Sequence, residues 1–140
     1  MPGVNEILSR ADSAADRSKI IRLIELWSGC KGNDCKPPSR SRIGIYFRGK
    51  DEPQFKVEVG GTDRPGNVIV HLLSEPHQQR IPPEKLDAHL KRLEKLPGFE
   101  SNEIGQVGQP GRKYPSCPIS KYTDDDLKLL VKVYQQLLEE

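Results

Sequence analysis

Several things are scarce in this chain, and each shortage excludes a class of protein. Three cysteines in 140 residues cannot frame a small disulfide scaffold, and any pairing would leave one over. No uninterrupted apolar run approaches the roughly 20 residues needed to cross a bilayer, and the start MPGVNEILSR carries no hydrophobic leader. A cytoplasmic setting with no membrane partner is therefore expected. Aromatic residues make up only 6%, so the core is expected to be small and mostly aliphatic. Neither sign of charge dominates, with 22 Lys and Arg against 20 Asp and Glu, well short of a dedicated nucleic-acid footprint. Internal repeats, heptads and low-complexity tracts are missing as well.

What is present is periodicity. The chain is 34% hydrophobic, above what a disordered chain carries, because these residues are gathered into regular segments. At 140 residues it is long enough to bury about two-thirds of its unfolded surface, so one domain can fold without metal or disulfide. Residues 42–75 hold three alternating runs. RIGIYFRG puts Ile43, Ile45 and Phe47 on one face, QFKVEVGG does the same with Phe55, Val57 and Val59, and NVIVHLLSE is apolar on both sides. Residues 49–53 (GKDEP) read as a compact hairpin connection and residues 60–66 (GGTDRPG) as a longer one. Between Cys30 and Ser41, the Gly, Asn, Asp and Pro content predicts a loop.

Helices flank these strands. Ile20, Leu23, Ile24 and Trp27 recur at helical spacing, with Asp12 or Ser13 as cap and Gly29 as stop. Val4, Ile7, Leu8 and Ala11 continue the spacing upstream as a short helix or as a longer first helix with a break, with residues 1–12 a loosely packed arm. Pro82 and Pro83 open a third helix in which Leu86, Leu90 and Leu93 should cover the sheet. Thr123 followed by Asp124, Asp125 and Asp126 starts a last helix, with Leu127, Leu130, Val131, Tyr134, Leu137 and Leu138 in one stripe. Residues 99–122 are long for a loop, and two short strands near 102–107 and 114–120 would extend the sheet. The expected fold class is α+β: one domain over residues 1–140, with an antiparallel sheet of three to five strands packed on one face by three helices.

The positive charge is uneven. Residues 1–50 hold ten Lys and Arg against five Asp and Glu, and Lys36, Arg40, Arg42, Arg48 and Lys50 cluster around the first strand. With Arg112 and Lys113 of GQVGQPGRK, these are the candidate nucleic-acid contacts. That glycine run is no P-loop, since it lacks G-x4-G-K-[ST] and is followed by Pro115 and Pro118 rather than a helix.

Catalytic and metal chemistry fare worse. Cys30 and Cys35, with Cys117 and one of His71, His77 or His89, have the composition of a zinc site but lack a second paired ligand motif. No metal and no cofactor is expected. Lys56-Val57-Glu58 reverses the order that a nuclease strand would need, and Asp124, Asp125 and Asp126 read as helix-capping residues.

The element order and the closing SKYTDDDLKLLVKVYQQLLEE resemble the small YjbR-like bacterial domains, which have a frataxin-like α/β sandwich. Asp125, Asp126, Leu127, Leu130, Val131 and Tyr134 carry the resemblance over the C-terminal half, with Val133 where that family has a small hydroxyl residue. It implies a small non-catalytic domain that contacts DNA. Two rival readings stay open beside a binding module for nucleic acid or an acidic protein. One is a small cytosolic enzyme using Cys117 with His77. The other is a structural or dimerising domain in which the solvent face of the first hairpin pairs with a second copy of the chain, giving a homodimer.

Overall fold

The computed structural model describes residues 2–11, 13–36, 44–50, 52–61, 64–72, 82–97 and 116–139. Helix α1 (Pro2–Leu8) and helix α2 (Ala14–Ser28) precede four strands: β1 (Asn33–Lys36), β2 (Gly44–Gly49), β3 (Glu52–Gly61) and β4 (Arg64–Leu72). Helix α3 (Pro83–Leu93), strand β5 (Ser116–Pro118), a 3-10 turn (Ile119–Lys121) and helix α4 (Asp124–Glu139) follow. The strands form one five-stranded sheet in the order β1-β2-β3-β4-β5, antiparallel throughout. This is the α+β architecture that the alternation implied.

Local chemistry sets the helix ends. Ser13 caps α2, its hydroxyl accepting the Asp16 N–H at 3.2 Å. Gly29 closes the helix in the right-handed region, with its N–H on the Glu25 carbonyl at 3.0 Å. The left-handed residue of this turn is Gly32, at φ 85°. At α4, Thr123 Oγ1 accepts the Asp126 N–H at 3.2 Å while Asp126 Oδ2 accepts the Thr123 N–H at 2.9 Å. This reciprocal capping box satisfies two backbone donors at the positive end of the helix dipole.

The core lies between one sheet face and the helices. Ile45, Phe47, Phe55, Val57, Val59 and Val70 enter it from the strands, Ile20, Leu23 and Trp27 from α2, and Leu127, Leu130, Tyr134 and Leu137 from α4. Ile7 and Ala11 are buried in the same cluster, so the N-terminal segment contributes to it. The cluster is mostly aliphatic, as expected, and its few aromatic rings gather together. Phe47 and Phe55 are cross-strand partners stacked at 4.6 Å; Trp27 meets Phe55 edge-on at 5.3 Å, and Tyr134 lies 4.8 Å from Phe55. Few aromatic residues suffice because they converge, each removing about 150–250 Å² from water.

Two expectations change, and two others take a definite form. Residues 33–36, read as loop, form strand β1, pinned by the Trp27 indole N–H, which is shared between the carbonyls of Asp34 (3.1 Å) and Arg48 (2.9 Å). The connection expected over residues 60–66 shrinks to two residues, because β3 runs on to Gly61 through a register shift after Val59 and β4 begins at Arg64. Helix α3 packs along α4 and enters the shared core: Leu93 and His89 are buried, and the His89 ring meets Tyr134 edge-on at 4.7 Å. Of the two extra strands expected in residues 99–122, one is β5, paired with β4 through Val70 and Cys117. The other, near residues 102–107, lies outside the described residues.

Candidate nucleic-acid interface

Strand alternation sorts side chains between the helix-covered face and the opposite, outer face of the sheet. Cys35, Ile45, Phe47, Phe55, Val57 and Val59 point to the core. Their off-phase neighbours Asp34, Lys36, Tyr46, Arg48, Lys56 and Glu58 are half-buried or exposed. The register aligns three of them: Lys36 pairs with Tyr46 and Tyr46 pairs with Lys56, so a tyrosine lies between two lysines on three consecutive strands. The site is a row across the sheet, not a loop cluster. Gly44, also off-phase on β2, makes room for it. A Cβ there would stand 3.3 Å from Lys56 Cδ, so the Lys56 stem lies over the bare glycine.

The outer face is charged but partly self-neutralised. Arg48 Nε is 3.4 Å from Asp34 Oδ1, and Lys56 Nζ is 3.7 Å from Glu58 Oε2. The Lys56–Glu58 pair keeps contact with solvent and is screened and weak, whereas the two paired atoms of Arg48 and Asp34 are themselves out of solvent. Lys36 is exposed and has no acidic partner among the described residues.

The residues expected to touch nucleic acid therefore divide. Lys36 and Arg48 share the outer face. Lys50 does not: it follows Gly49 at the far end of the hairpin, and its ammonium donates to the Leu138 carbonyl at the C-terminal end of α4. There it borders a cavity of about 340 Å³ together with Lys31, Asn33, Gln135 and Leu138. Arg40, Arg42, Arg112 and Lys113 lie outside the described residues. Tyr46 and Lys56 were not singled out from the sequence as contacts. The phase of Tyr46 between Ile45 and Phe47 was the available signal, but its lysine neighbours follow only from the register.

The residues of the rival chemistry have other surroundings. Burial pushes the Cys35 thiol up to about 11, against a weaker lowering by the Ser28 hydroxyl, 3.7 Å away. Cys117 is buried on β5, and its thiol is raised chiefly by loss of solvent. Cys30 is half-buried, with its sulfur 3.7 Å from the Leu26 carbonyl. Burial also drives the Tyr122 hydroxyl well above its ordinary value. A catalytic thiol needs the opposite, a lowered value beside a base. His77 lies outside the described residues, and position 71 pairs with Lys56 on β4. Among the described residues no three His, Cys, Asp or Glu side chains gather as metal ligands. Asp124 is held by Arg22 at 3.0 Å and Lys128 at 3.2 Å, which keep its carboxyl below the usual carboxylate range.

No family model, curated protein or solved structure matches this chain.

Proposed function

We propose that this chain is a non-catalytic module that binds nucleic acid through the outer face of its sheet. The observation that carries the reading is the cross-strand row Lys36, Tyr46, Lys56 on the strand phase opposite the buried one. Neighbouring strands are about 4.8 Å apart, so the two lysines are separated by roughly 10 Å across the tyrosine. Lysines at this spacing offer phosphate groups two anchoring points, with Arg48 as a third cation beside them. The resemblance of the C-terminal half to YjbR-like domains supports the same reading. The raised thiols weigh against an enzyme built on Cys117.

Fluorescence anisotropy with labelled duplex DNA, single-stranded DNA and RNA at low ionic strength tests the proposal. Binding that weakens as salt rises is expected. Failure of all three to bind at low salt would remove it.

A further inference from the structure

Resting on that reading, we infer that the bound form is single-stranded, with Tyr46 as the platform on which an unpaired base stacks and Lys36 and Lys56 as contacts to the phosphates on either side. The first argument is charge. On the described part of the outer face, the cations Lys36, Arg48 and Lys56 are opposed by Asp34 and Glu58, which leaves a net of one positive charge. A duplex presents its bases stacked and sealed, so a protein face without groove-entering elements holds it almost wholly by phosphate neutralisation. One net charge supplies little of that. A single strand brings a second source of affinity, because its base faces are open to an aromatic ring.

The second argument is geometry. Tyr46 is half-buried in the middle of the row, and no ring packs on it among the described residues. The other described aromatics of the sheet, Phe47 and Phe55, are buried in the core. A tyrosine held between neighbouring strands is rigid at low entropic cost, as a stacking surface must be. The carboxylates of Asp34 and Glu58 add selectivity, since they repel a ligand rich in anions and tolerate one that places a base between two phosphates. An acidic peptide would satisfy the lysines and leave the ring unused, and a peptide that adds a strand needs a sheet edge rather than this face.

Anisotropy of a fluorescein-labelled 12-nucleotide oligothymidylate, a duplex of about the same length, heparin and polyglutamate separates the alternatives, with probes of about this size chosen to cover one site. The single strand is expected to bind tightest. Tyr46→Ala should weaken it by about 5- to 150-fold while changing duplex and heparin little, and Tyr46→Phe should restore it. Lys36→Glu should weaken every nucleic-acid probe. Tryptophan emission, reporting the buried Trp27, confirms that each variant is folded. Equal affinity for duplex and single strand, or an unchanged single-strand affinity in Tyr46→Ala, overturns the stacking inference and leaves the nucleic-acid proposal standing. Preference for polyglutamate, or no binding by any probe, overturns both.

Discussion

Lys50 is the only non-glycine among the described residues with positive φ, at 52°. A side chain in that region costs about 1–2 kcal/mol, and the fold tolerates it because the two-residue link between β2 and β3 leaves no room for a wider turn. Glycine would relieve the strain but release more entropy on unfolding. Lys50→Gly should therefore leave stability unchanged or raise it by up to about 1 kcal/mol, whereas Lys50→Val should lower it by about 1–2 kcal/mol. Urea unfolding midpoints decide this. Because Lys50 points to α4 and not to the outer face, Lys50→Gly should also leave nucleic-acid affinity close to wild type. The three thiols make a second test. At pH 8 a thiol-reactive disulfide reagent should modify Cys30 first, with Cys35 and Cys117 reacting only as the protein opens. Rapid reaction of Cys117 would revive the enzymatic reading.

Helix α4 gives the clearest element-level expectations. Thr123→Ala removes the hydroxyl of the capping box and should cost about 1 kcal/mol in chemical unfolding. Asp124 sets a pH dependence. Hydrogen bonds from Arg22 and then Lys128 depress its carboxyl in the folded state, so its contribution is complete above the ordinary value of 3.8 and disappears as pH falls through the lower folded value. Asp124→Asn should thus be less stable than wild type near neutrality, with the gap in urea midpoint narrowing as the pH drops toward 2.

The same element was readable in advance because its cap, acidic first turn and apolar stripe all agree. Strand β1 was not, since NDCK has little strand propensity and owes its conformation to pairing with β2 and to the Trp27 hydrogen bonds. The outer-face row was hidden for the same reason: alternation tells which side Tyr46 faces, but its neighbours Lys36 and Lys56 depend on registers set by tertiary structure. His89 was weighed as a metal ligand, yet it is a core residue, buried with its ring against Tyr134 of α4.

Taken as a whole, the molecule separates its hydrophobic business from its charged face, and salt is the natural probe of that division. If Lys36, Arg48 and Lys56 each displace a counterion from single-stranded DNA, the logarithm of the binding constant should fall with that of salt at a slope of about −2, becoming shallower by about 0.7 in Lys36→Ala. Stability should respond far less, since it rests on the buried apolar core, which salt does not screen.

Trp27 belongs to the second helix and Tyr134 to the final one, and the rings between them come from the sheet. The indole itself takes its hydrogen-bond and ring partners from residues 34–55, so its emission is a built-in optical report on the docking of the second helix against the early strands, while Tyr134 closes on Phe55 rather than on the tryptophan.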